Sequence, residues 1–292
     1  MNTDDYTHLS TLKNADEDCI TYYVGDDPED IKHLRNCLLI CNKDLNIPNN
    51  LQIAVHRSEN PKLDFYRISA KFKKDYLESG KLEYDPVNRS YIHPEAQIGE
   101  NVSIGPGCVI GNCIIEDNVR IDANVVIYAE THIENNCIIE SNTNLGASGV
   151  MWVWDKNERV YLEQLGNVRI EENCFLGCNV EISRGSANET ATIGKNTCIA
   201  HGSKLGHGCM IGAFNHFSNN VTFGGSVETG DRCFFGCGVT VAPGSKLGDD
   251  IIAGTGAVVV KDIQEKGIYI GLPARKMKET KGKNRGIPRW RI

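Results

Sequence analysis

The 292 residues carry 31 Lys and Arg against 38 Asp and Glu, a formal net charge of −7, and 40% are hydrophobic. That balance is ordinary for a globular protein with enough chain for a substantial core, and it argues against nucleic acid as the main partner. No strictly aliphatic run exceeds Ala257–Val260, which excludes a bilayer-spanning helix. The acidic start MNTDDYTHLS lacks the apolar stretch of an export signal, so a cytoplasmic protein with its twelve Cys as reduced thiols is expected.

Residues 1–90 show no long-range period. Ile20–Val24 and Cys37–Cys41 read as short buried strands. Pro61–Phe72 reads as a helix with Phe65, Ile68 and Phe72 on one side. Together they predict a small α/β domain.

From Ile92 onward a hydrophobic residue recurs every six positions: Ile92, Ile98, Ile104 and Ile110, then, after a slip of one, Ile115 through Leu145. The series returns at Ile170, Leu176 and Ile182, and runs from Ile193 to Val259 with one weak member, Thr229. Six fits neither an α-helix nor a coiled coil. It fits short strands joined by tight corners. The position two before each anchor shares the inward face and is mostly small or β-branched, as in Thr197, Ser203, Cys209 and Val239. This is a β-helix, whose coils stack at roughly 4.8 Å; with three faces to a coil its 25 anchors would make about eight coils. Cys174–Cys178 and Cys233–Cys237 each pair an inward position with a corner one, which favours structural filler over a zinc site.

The period breaks twice. Residues 146–169 form an insertion with two of the three Trp, of the kind that projects from a repeat and shapes a binding site. The spacing between Ile182 and Ile193 is 11 rather than 12, so an irregular loop is expected there. The prism is thus assigned to 91–263. Residues 264–292 form a C-terminal extension with a turn at Gly271-Leu272-Pro273 and a short helix over Ala274–Glu279. Arg275–Ile292 carries eight Lys and Arg against one Glu, which leaves −14 on the rest of the chain. A basic tail on an acidic body suits a phosphate-bearing or acidic partner.

Three of the eight His lie within 16 residues: His201, His207 and His216. His201 and His207 both stand two after an anchor and point outward. Gly225 lies 18 residues after His207; in a three-faced prism that is one full coil, which would stack its amide beside that imidazole. A base next to an oxyanion donor is the pairing that acyl transfer requires.

The stretch LGHGCMIGAFNHFSNNVTFGG, and the chain on to Met277, resembles the C-terminal half of the UDP-amino-sugar N-acetyltransferases of the bacillosamine and sialic-acid type. Its matching motif is His207, Ile211-Gly212 and His216. NPKLDFYRISAKF, IHPEAQIGENVSIGPGCVIG and QLGNVRIEENCFLGCNVEISRG resemble UDP-3-O-acylglucosamine N-acyltransferase of lipid A assembly, and both alignments set the catalytic His on His207. The resemblance implies a left-handed prism of hexapeptide repeats assembled as a homotrimer, with sites between protomers. It implies an acyltransferase in cell-surface polysaccharide synthesis, with a nucleotide-amino sugar as acceptor. The donor would be acetyl-CoA, or else an acyl carrier protein with a longer chain. His207 would be the general base and the Gly225 amide the oxyanion donor. His216, His201, Asn215, Tyr22 and Tyr23 would meet substrate, and His216, Gly225, Gly254, Arg275 and Lys276 the coenzyme, with no metal. Gly208 stands where these families carry Asp, Glu or Asn. Transfer to a sugar hydroxyl and a non-catalytic scaffold are the other readings. So is a zinc enzyme like the γ-class carbonic anhydrases, whose close His pair is five apart rather than the six of His201 and His207.

Overall fold

A computed structural model of the protein describes residues 3–273 and 275–279. The chain divides into two compact units, one of residues 1–74, 148–166 and 185–189, the other of the remainder.

The first unit is a parallel sheet of four strands in chain order: β1 (His8–Leu9), β2 (Cys19–Tyr23), β3 (Leu38–Asn42) and β4 (Ala54–Ser58). The helix α1 (Pro61–Ser69) follows. Asn60 caps it by accepting a hydrogen bond from the Leu63 amide, and Pro61 supplies the preset first turn. One sheet face packs Ile31, Leu34 and Leu45 from the crossovers onto Cys19, Leu39 and Cys41. The other packs Phe65, Tyr66 and Ile68 of α1 onto Ile20, Leu38 and Ile40. The insertion joins this same core through Met151, Val153, Val160 and Leu162. It is a hairpin of Trp152–Asp155 and Glu158–Tyr161 and therefore groups with the N-terminal residues rather than with the repeat expected to carry it.

The second unit is the predicted prism. Three sheets of eight, ten and ten strands run along it, parallel except for one antiparallel edge strand on each ten-stranded sheet, and successive parallel strands of a sheet come from successive coils. We call the sheet containing Ile110, Leu205 and Phe223 the first face, that of Ile115, Ile193 and Ile211 the second, and that of Ile121, Ile199 and Phe217 the third. Inside, Phe217, Phe223 and Phe235 pack with ring centroids 4.7–5.1 Å apart. The inward small positions, among them Thr197, Ser203, Cys209 and Val239, are buried as the alternation requires.

The corners explain the hexapeptide spacing. The third residue after an anchor adopts a left-handed backbone at corner after corner, as at Asn118, Asn136, Asn173, Asn196 and Asn220 with φ of 57–61°. Asn and Gly enter that region at least cost and fill most of these positions; Glu130, Phe214, Ser226, Arg232 and Asp250 hold the same backbone without that advantage.

Three sequence expectations change. The prism begins at residue 75 rather than 91, because Ser90–Ile92 pairs with Val109–Ile110 and Glu83–Asp85 pairs back on it. The short helix expected over Ala274–Glu279 is a strand, Arg275–Lys278, antiparallel to Gly267–Ile270, which itself extends the third face. The loop between Ile182 and Ile193 lends residues 185–189 to the first unit. Most of the basic tail, residues 280–292, lies outside the described residues. Among the described residues no helix is long and apolar enough to cross a membrane.

Candidate active site

His207 stands at the corner where the first face turns into the second, two residues after the anchor Leu205. Its ring is half-buried and its carbonyl accepts a hydrogen bond from the Ser226 amide at 2.7 Å. Gly225 occupies the same corner one coil later. A Cβ on Gly225 would lie 2.2 Å from His207 Nε2 and 2.5 Å from Cε1, so the imidazole lies directly over this glycine. Gly206 is equally constrained, because its Cβ would sit 2.6 Å from the Gly225 nitrogen. Only glycines let backbone and ring approach this closely.

Where the second face turns into the third, the equivalent N–H is capped by the side chain one coil onward. Glu100 donates to Asp117, Asp117 to Asn135, Ala213 to Asp231 and Asp231 to Asp249, at 2.7–3.0 Å. For Gly225 that position is Pro243, which offers no acceptor, and no acceptor meets the amide among the described residues. Beside the His207 ring, then, lies an N–H with its hydrogen-bonding capacity unspent among the described residues.

Gly208 has φ +64°, the same left-handed corner geometry that Asn and Gly fill elsewhere. Glycine there answers a backbone demand.

His201 lies at the opposite corner of the first face, between the third face and the first. Its Nδ1 accepts the Cys178 amide at 2.9 Å, the capping role that Asp and Asn play at other corners. Glu140 lies 3.4 Å from that nitrogen, and the Cys178 thiol donates to Glu140 at 3.4 Å. Sequence spacing did not anticipate this Glu140–Cys178–His201 group, because its members come from three consecutive coils. His216 projects outward from the third face, stacked on Phe234 with centroids 5.2 Å apart and planes within 3°. Burial holds its pKa below the ordinary 6.5. Within one chain, therefore, His201, His207 and His216 stand at two corners and a face and do not converge.

Other candidates sit elsewhere than expected. Asn215 is 2% exposed and lies inside the prism. Its amide nitrogen donates to the Gly212 and Gly230 carbonyls at 2.8 and 3.0 Å, and its oxygen accepts from the Cys233 amide at 2.7 Å. It is a structural bridge and no substrate reaches it. The rule that the position two before an anchor points inward already implied this, since Phe217 follows at that distance. Gly254 is buried and its amide donates to the Tyr269 carbonyl at 2.8 Å, so that amide is not available to a coenzyme. Tyr22 packs on Phe65 at 4.8 Å, with its hydroxyl pKa raised by burial and by Glu189. Tyr23 donates to Asp30 at 2.6 Å. Both rings already serve the first unit's own packing. Arg275 and Lys276 line a cleft of about 520 Å³ with Lys261, Asp262, Gln264 and Tyr269. Lys276 is paired there with Glu265 and Glu279.

The sequence reading missed Arg184, which precedes His207 by one coil at the same corner. It is fully buried. Its Nε and Nη2 donate to the Gly146 and Ala129 carbonyls at 2.8 Å, and its guanidinium lies 3.1 Å from the Tyr76 ring centroid. Burial lowers its pKa. The only signal was a charged residue directly after a strand, which ordinarily marks a solvated corner.

Similarity to known proteins follows the prism. The family described as bacterial transferase hexapeptide (six repeats) matches residues 112–147, and the hexapeptide repeat of succinyl-transferase matches 167–185 and 220–261. The UDP-3-O-acylglucosamine N-acyltransferase of Helicobacter pylori strain 26695 is 29% identical over 200 residues, 65% of this chain and 59% of that protein. The chain thus spans less than two thirds of the length of this relative. A serine acetyltransferase of Mycobacterium tuberculosis is 27% identical over 151 residues, 48% of this chain and 62% of that one. Among solved structures, the UDP-N-acetylglucosamine acyltransferase of Bacteroides fragilis is 27% identical, covers 69% of this chain and 75% of its own, and superposes with a TM-score of 0.59. The left-handed course expected of the prism is the course of these solved folds. Repeat, three-faced stack and named relatives agree: the chain is a left-handed β-helix of hexapeptide repeats that resembles the nucleotide-sugar N-acyltransferases.

Proposed function

We propose that the protein transfers an acyl group from a thioester to the amine of a nucleotide-linked amino sugar. The observation that carries this reading is the imidazole of His207 lying over Gly225, whose amide meets no acceptor among the described residues. His207 takes a proton from the amine as its nitrogen bonds to the thioester carbon. The carbonyl oxygen gathers negative charge and is held by the Gly225 N–H. Collapse breaks the carbon–sulfur bond, and the leaving thiolate takes the proton from the imidazolium. A neutral imidazole suits the first step and its conjugate acid the last. One oxyanion donor is worth about 2.7–4 kcal/mol of barrier.

Acetyl-CoA is the proposed donor, supported by the similarity to a serine acetyltransferase. An acyl carrier protein with a longer chain is the alternative. The cleft at Arg275 and Lys276 would receive the donor's phosphates, and no step calls for a metal. His207 and His216 lie on different sides of one prism, so a groove lined by both needs a second chain; the proposal therefore includes a homotrimer. Cytoplasmic placement belongs to it as well. The similarity to a UDP-N-acetylglucosamine acyltransferase supports a second reading, transfer to a sugar hydroxyl by the same His207.

The test is free-thiol release with acetyl-CoA and longer acyl donors against amino- and hydroxy-sugar nucleotides. His207→Asn should retain the fold and lose about 10²- to 10⁴-fold in kcat/KM. Turnover only with hydroxy sugars selects the second reading. Wild-type turnover by His207→Asn sinks both.

A further inference from the structure

The insertion hairpin keeps one face for the core and leaves the other bare. In its register Trp152 stands opposite Tyr161 and Trp154 opposite Arg159. Strand alternation sends Val153 and Val160 inward, where they pack with the residues of α1. It sends the three aromatic rings outward, where Trp152, Trp154 and Tyr161 are 39%, 52% and 51% exposed. The two indoles meet edge to face with centroids 5.1 Å apart. The Arg159 guanidinium lies 5.1 Å from one indole centroid and 5.3 Å from the other.

Three large rings together in solvent are costly to keep without a use, and they lie in a segment that interrupts an otherwise regular repeat. Charge narrows the occupant. Arg159 forms no ion pair among the described residues; its contacts are with the rings. Asp155 alternates to the other face and is held by Arg67. The outer face therefore carries one cation and no carboxylate. Flat π surfaces take a nucleobase irrespective of its identity, and a guanidinium takes phosphate oxygens in a fork. An acyl chain would leave the cation unmatched, and Tyr22 and Tyr23, engaged with Phe65 and Asp30, offer no competing platform.

We propose that the outer face of this hairpin binds the nucleoside diphosphate of the acceptor, base against Trp152 and Trp154 and phosphate on Arg159. The choice of the acceptor as the source rests on the acyl-transfer reading above; the platform itself does not.

Two of the chain's three Trp form the platform, so intrinsic fluorescence reports on it directly. The full-length protein is titrated with UDP, and with ADP, GDP and coenzyme A as separate arms, with excitation at the red edge of tryptophan absorption. Saturable quenching by UDP is expected. Arg159→Ala should weaken it at least tenfold and Trp154→Ala should remove most of it, with circular dichroism and Tm unchanged because these side chains are exposed. Three results overturn the proposal: no quenching by UDP, quenching that survives the Trp152→Ala/Trp154→Ala double variant, or quenching by coenzyme A alone. A fluorescence change that follows protein concentration rather than nucleotide also overturns it, since a second copy would then cover the rings. Failure of acyl transfer with UDP quenching intact would refute the catalytic reading and leave the platform standing.

Discussion

Gly225 has no room for a side chain. Its absent Cβ would lie 2.2 Å from His207 Nε2, and its amide lacks the capping seen where the second face turns into the third because the next coil offers Pro243. Gly225→Ala should therefore displace the imidazole and lower kcat/KM by at least about a hundredfold, as loss of a positioned general base does. Far-UV circular dichroism should stay unchanged, since the corner lies outside the packed interior. Near-normal turnover would detach Gly225 from the chemistry. The His207–Gly225 pairing was legible in the sequence because eighteen residues make one coil. The emptiness of the amide was not, because it depends on what a third coil places beside it.

Within the prism the working element is the coil with its corner. The repeat forecast the anchors and the inward small positions; that its corners turn through a left-handed backbone came from the structure. Asn215 was misassigned at this scale. Its neighbourhood to His216 in sequence suggested a shared site, whereas alternation puts the two side chains on opposite sides of the wall. Asn215→Ala would leave the Cys233 amide and the Gly230 carbonyl without their partner in a dry interior. A loss of about 1–3 kcal/mol in chemical denaturation is expected, with KM unchanged. A raised KM with unaltered stability would return Asn215 to the substrate. Arg184 escaped notice for the related reason that its carbonyl partners, Gly146 and Ala129, belong to earlier coils.

Across the whole molecule, acid is the relevant stress. His216 lies against Phe234, and burial favours its neutral form. With a folded pKa below the unfolded 6.5, the unfolded chain binds the proton more readily. The contribution is complete above 6.5 and is lost as pH falls from there through the folded value. Urea midpoints should decline over that window in the wild type and decline less in His216→Gln. Parallel curves for the two would show that His216 bears no part of the acid sensitivity.

The sequence by itself determined the β-helical repeat and the corner that carries His207, because a six-residue period is a local property written into each strand and turn. It could not determine how the first unit is assembled, since residues 1–74, 148–166 and 185–189 come together only by burying apolar side chains that no spacing relates. The tertiary structure alone decided that the Gly254 amide spends its hydrogen bond on Tyr269, that Tyr22 and Tyr23 are occupied, and that an aromatic face on the insertion is not. Periodicity reports which way a side chain points; what it meets there depends on residues distant in the chain, and that contact selects its role.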